Sequence, residues 1–106
     1  MKSFKNYRFE DLAVWKIGMQ IVGEVYRLTQ SFPKTELFAL TDQLKRASTS
    51  IVLNIAEGSA QSSKKHFALY ANRTKASTLE CIVCIKIAIQ QQFLKISDCD
   101  TIEALL

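Results

Sequence analysis

Apolar side chains recur every three or four positions through most of this chain, a period that belongs to α-helices. Leu37, Leu40, Leu44, Ala47, Ile51 and Ile55 share one stripe, because 3.6 residues per turn stack positions three and four apart on a single face. The stripe predicts a helix over about residues 35–57, with Gly58 as its stop, where a positive φ strains glycine little. Pro33 closes the element before it, since proline lacks an N–H and restricts its predecessor.

Upstream, the pattern predicts a helix over about residues 9–29, with Glu10 and Asp11 in its first turn, where the helix dipole favours acids. Two apolar stripes run along it. Leu12, Trp15, Met19, Val22 and Tyr26 form one; Val14, Ile17, Ile21, Val25 and Leu28 form the other, roughly opposite. A helix apolar on two sides must bury both. The first stripe is assigned to the core, and Val14, Ile17, Ile21, Val25 and Leu28 to an interface with another subunit.

A third helix is predicted over about residues 62–91, capped by Ser62 or Ser63, and a last one over about residues 98–106, capped by Ser97 or Asp98. Phe67, Ala71, Thr74, Thr78, Cys81, Ile85 and Ala88 keep helical spacing, whereas Ile85, Ile87 and Ile89 alternate as a strand would. Local pattern alone leaves that segment divided.

A chain of 106 residues with 48% hydrophobic content builds one core, so residues 1–106 are read as one domain. No apolar run approaches the roughly 20 residues of a membrane span. The start, Met1 to Arg8, is charged and lacks the apolar core of a secretory signal, which predicts a cytoplasmic location.

The formal charge of +4 permits an anionic partner without demanding one. Clustering adds more. From Ser59 to Leu79 there is no acid, while Lys64, Lys65, Arg73 and Lys75 fall in that stretch. With Lys45 and Arg46 they are the candidate nucleic-acid contacts, acting on phosphates and so without reading base sequence.

Little else suggests chemistry. Cys81 and Cys84 have the spacing of a metal or redox pair but lie in an apolar run without a second ligand pair, and His66 is the only histidine. They are read as packed thiols, with Cys99 more accessible near the chain end. Ser62 and Lys65 match a hydrolase fragment whose companion motifs are missing. Without a phosphate loop, carboxylate set or histidine constellation, neither an enzyme nor a metal or cofactor is expected. Asn54 and Ser50 lie beside the apolar stripe and are assigned to fixing the register between helices.

Several runs occur together in a recognisable order: Phe9 to Trp15, Phe32-Pro33-Lys34, Leu40-Thr41 with Gln43-Leu44, Arg46-Ala47, Asn54 to Gly58, and Lys65 with Phe67. In these the chain resembles the bacterial four-helix-bundle family encoded in intervening sequences of 23S ribosomal RNA genes, whose relatives include the accessory variability proteins of diversity-generating retroelements. It departs from the family at Val52, where proline is common, at Ala39 and Ala76, where glycine is common, and at His66, where an acid is common. The resemblance implies one long third helix and an all-α, antiparallel up-down four-helix bundle whose fourth helix is short or incomplete. It also implies a homo-oligomer, by analogy a pentamer, with RNA, DNA, a reverse transcriptase or another nucleoprotein as partner. The alternative reading is a protein-interaction scaffold whose basic residues only keep it soluble.

Overall fold

The computed structural model describes residues 4–106 and forms four α-helices: α1 (Ala13–Thr29), α2 (Leu40–Ser59), α3 (Lys64–Gln90) and α4 (Asp100–Leu105). No strand occurs among the described residues, so the all-α class holds. Short 3₁₀ turns at Arg8–Asp11, Lys34–Glu36 and Ile96–Cys99 precede α1, α2 and α4.

Contacts between named residues order the helices. Gly18 of α1 meets Val52 and Ile55 of α2, whereas Tyr26 meets Lys45, so residue numbers fall along α2 as they rise along α1. Ser50 and Gly58 of α2 meet Ser77 and Tyr70 of α3 in the same opposed sense. Each of these neighbouring pairs is antiparallel. α4 packs on α1 near Arg27, whose guanidinium donates to the Asp98 carbonyl at 3.2 Å.

Burial overturns the assignment of the α1 stripes. Ile21, Val25 and Leu28, expected on a subunit interface, are at most 4% exposed and pack in the core with Leu44, Ile51 and Cys81. Met19 and Tyr26, expected inside, are 44% and 48% exposed. The cause is Gly18, which shares the face of Ile21 and Val25. A Cβ there would stand 2.8 Å from Val52 Cγ1, so α2 lies closest to α1 along this side. Val14 and Ile17 stay exposed because they lie ahead of that contact.

Three boundaries also move. α1 begins at Ala13, not near residue 9, because Arg8–Asp11 form a separate 3₁₀ turn and Leu12 is extended (φ −69°, ψ 129°), so Glu10 and Asp11 precede the helix rather than occupy its first turn. α2 begins at Leu40, not near residue 35, because the chain leaves Pro33 in a 3₁₀ turn and bends at Ala39 (φ −121°, ψ −106°). Leu37 is therefore exposed and off the stripe. Gly58 lies within α2 and has no positive φ. Its requirement is space: a Cβ there would sit 2.9 Å from Tyr70 Cβ.

α3 runs unbroken through the alternating isoleucines, since Ser77, Cys81, Cys84, Ile85 and Ala88 all turn one face to the core while Ile87 stays outside. Ser63 caps it, its hydroxyl accepting the His66 N–H at 3.1 Å. Burial along α3 is uneven. From Lys64 to Ala76 no residue is buried, whereas α4 covers the other end of the bundle. The start of α1, the end of α2 and the start of α3 thus form an open end.

Candidate nucleic-acid interface

The six basic candidates separate into two groups. Lys45 and Arg46 sit in the first half of α2; the ammonium of Lys45 lies 4.6 Å from the centre of the Tyr26 ring, and Arg46 pairs with Asp42 at 3.7 Å. Lys64 and Lys65 stand in the first turn of α3, at the open end. The antiparallel pairing puts Lys45 level with about residue 82 of α3, so they stand about 27 Å from it along the bundle, at 1.5 Å per residue. Arg73 and Lys75 lie between, with the Arg73 guanidinium 5.1 Å from the centre of the Tyr70 ring.

The charge wraps α3 rather than lining one side. At about 100° per residue, Lys64 and Lys75 share a face, Arg73 projects opposite, and Lys65 falls between. All four are exposed, and among the described residues no carboxylate pairs with any of them. Ion pairs involve Arg27 with Glu24 at 2.8 Å and Arg46 with Asp42. Lys5, Arg8, Lys16, Lys34, Lys45, Lys86 and Lys95 have no ion pair among the described residues either; what sets the start of α3 apart is that four cations stand in a stretch without acids, Ser59 to Leu79.

Beside it opens a cleft of 360 Å³, lined by Leu12 just before α1, Val14 of α1, Asn54 and Ile55 of α2, and Phe67 and Ala71 of α3. Its walls are mainly apolar. Asn54 sits at its base, donating to the Ser50 carbonyl at 2.8 Å and to Ser50 Oγ at 2.9 Å. The Ser77 hydroxyl donates to the same Ser50 Oγ at 2.8 Å, so the three residues link α2 to α3 and hold their register.

The thiols belong to the opposite half. Cys81, Cys84 and Cys99 are free and buried. Burial pushes the Cys81 thiol up to about 12, and raises Cys84 and Cys99 for the same reason. Cys99 is not the accessible thiol expected near a chain end; it is 4% exposed, with Sγ 3.6 Å from the Lys95 carbonyl. Among the described residues no group of three or more histidine, cysteine or acidic side chains could hold a metal ion.

Sequence reasoning missed the aromatic residues at this end. Trp15, read as a core residue, is half-buried and meets Phe9 edge-on at 5.3 Å between ring centres. Phe9 continues to Tyr7 and Tyr7 to Phe4. The available signal was the run Phe4-x-x-Tyr7-x-Phe9, with Lys5 and Arg8 between the rings.

Four helices, with no strand among the described residues and one end left open, define a small all-α bundle. The chain belongs to the 23S rRNA-intervening sequence protein family, whose model matches residues 10–106. That family name ties the chain to an RNA context. No curated protein matches it. No helix among the described residues is long and apolar enough to cross a membrane.

Proposed function

We propose that this chain is a non-enzymatic, oligomeric helical bundle that binds nucleic acid through its basic surface without sequence specificity. The observation that carries the reading is the exposed, acid-free charge of Lys64, Lys65, Arg73 and Lys75 on α3. Exposed cations without carboxylate partners suit phosphates, whose contacts supply affinity and no base reading. Lys45 and Arg46 are secondary sites, because Asp42 pairs with Arg46 and both stand away from the acid-free start of α3.

Surface area supports assembly. A folded monomer of this length exposes about 6,000 Å², whereas this chain exposes 7685 Å². The excess of about 1,700 Å² reflects an extended chain with an open end, and leaves surface that partner subunits would cover. Two unlike contacts per subunit are what a closed ring requires. The radius of gyration, 15.0 Å, likewise exceeds the roughly 13 Å of a compact chain this long.

The buried residues of α1 cannot supply such a contact, and the outer side of α3 is better suited. Leu69, Leu79, Val83 and Ile87 are between 39% and 55% exposed and lie away from the face that meets α2. Of these, Leu79, Val83 and Ile87 follow one another four residues apart, and an exposed apolar row of this kind belongs to interaction sites. The pentamer and the link to a reverse transcriptase extend the reading by resemblance to the accessory variability proteins.

The test is equilibrium binding of RNA and duplex DNA across a salt series. Binding that weakens steeply with salt, and weakens alike for all sequences on charge reversal at Lys64, Lys65 and Arg73, supports the reading. No binding at low salt by folded protein would favour the scaffold.

A further inference from the structure

The open end carries, beside its lysines, a run of four aromatic rings leading outward from the bundle. Centre-to-centre steps are 5.3 Å from Trp15 to Phe9, 6.1 Å from Phe9 to Tyr7 and 6.4 Å from Tyr7 to Phe4. Trp15 and Phe9 are half-buried and anchor the run, while Tyr7 is 47% and Phe4 89% exposed. Tyr7 and Phe9 lie nearly parallel, 14° apart. Bases in a stacked strand rise about 3.4 Å each, so these two rings stand a little under two base steps apart.

Charge accompanies the rings. Lys5 and Arg8 alternate with them in the chain, and the Lys5 ammonium lies 5.5 Å from the centre of the Tyr7 ring. Glu10 is turned inward, its carboxylate accepting the Tyr7 N–H and fixing the turn that presents the ring. Asp11 is the one other acid of this turn. Across the cleft, Lys64 and Lys75 project from the side of α3 that carries Ala71, which shares that cleft with Leu12. Phe4 and Tyr7 precede residues 10–106, the stretch that matches the family.

We propose that this end binds single-stranded nucleic acid, with bases stacked on Phe4 and Tyr7 and phosphates held by Lys5, Arg8, Lys64 and Lys75. The proposal rests on the nucleic-acid reading above and narrows it to unpaired strands. Exposed rings beside cations accept free base faces in any sequence. A duplex keeps those faces inside its own stack and offers only phosphates and groove edges. A second copy of the chain would bring a like charge to the same place, so the lysines favour an anionic occupant.

The test compares short oligouridine RNA with an RNA duplex of equal length, both at low salt, on the full chain. Phe4→Ala with Tyr7→Ala should weaken oligouridine binding by at least about fivefold and leave the duplex unaffected. Tyr7→Phe should keep wild-type affinity, because the ring face remains. Both ring positions are exposed, so circular dichroism should report an unchanged fold. If the ring variants leave oligouridine affinity intact, or weaken both probes equally, the stacking proposal is wrong while phosphate binding stands. If neither probe binds the wild-type protein, both readings fall.

Discussion

Alanine at Ile21 should strongly destabilise the fold, whereas alanine at Met19, two residues away on the same helix, should not. Ile21 is 4% exposed and packs where Gly18 brings α1 closest to α2, so the helices cannot readily close over the space it leaves. Removing a buried isoleucine to alanine costs about 2–5 kcal/mol, the larger values where the site cannot collapse. A domain of this size is stable by only about 5–15 kcal/mol, so the loss is a large share of the whole. Met19 is 44% exposed, and its truncation should stay within about 0.5 kcal/mol. Urea unfolding followed by helical circular dichroism reads both. With a slope near 2 kcal/mol/M, the Ile21→Ala midpoint should fall by about 1–2.5 M and the Met19→Ala midpoint by less than about 0.3 M. The protomer concentration must be held fixed, because assembly shifts the midpoint by mass action. Equal shifts, or a larger one at Met19, would mean that α1 turns its other stripe inward and that the description of the core is wrong.

Glycine positions should respond in opposite directions. Gly23→Ala, with nothing within 4 Å of the added carbon, should raise stability by about 0.5–1 kcal/mol through helix propensity. Gly58→Ala should lower it, because Tyr70 Cβ at 2.9 Å is fixed to the α3 backbone and cannot rotate aside. All three cysteines should react slowly with a thiol reagent when folded and quickly in denaturant, Cys99 included. Because burial holds the folded Cys81 thiol up at about 12, above its ordinary 9.0, the associated stability is complete below about pH 9 and declines as the pH rises toward 12; alkaline unfolding curves check the sign. Lysine at Leu79 and Val83 should reduce the sedimenting mass while leaving helical content intact, and an unchanged mass would remove that face from the interface.

The first two helices were legible in the apolar periodicity, whereas the unbroken third rested on the family resemblance because the local pattern there is ambiguous. Ile85 to Ile89 shows the limit. Alternation there suggests a strand, yet the buried set beginning at Ser77 continues through Ala88 and decides for helix. The two stripes of α1 were legible as stripes but not as inside and outside, since both are apolar and hydropathy cannot rank them. Gly18 held the missing information: a small residue in line with Ile21 and Val25 identifies the side where another helix comes close. Gly58 misled in the complementary way, because a glycine near a helix end is equally a stop signal and a contact point. Of the candidate site, the acid-free run from Ser59 to Leu79 was visible, but the separation of Lys45 and Arg46 from Lys64 and Lys65 depends on helix pairing, which spacing along one chain does not contain. The rings of Phe4, Tyr7 and Phe9 escaped notice because they obey no helical period.

The central claim is that unpaired cations on α3 hold a nucleic-acid backbone, and the salt dependence of RNA affinity tests it most directly. Each phosphate contact adds about 0.7 to the steepness of log affinity against log salt for a single strand, and about 0.9 for duplex DNA. Wild-type protein should bind RNA at low salt with a steep negative slope. Lys64→Glu, Lys65→Glu and Arg73→Glu together should flatten that slope, by about 0.7 for each of the three that holds a single strand's phosphate, and weaken every sequence alike. A slope that does not change with these three substitutions, or folded wild-type protein that binds no RNA at low salt, would contradict the account.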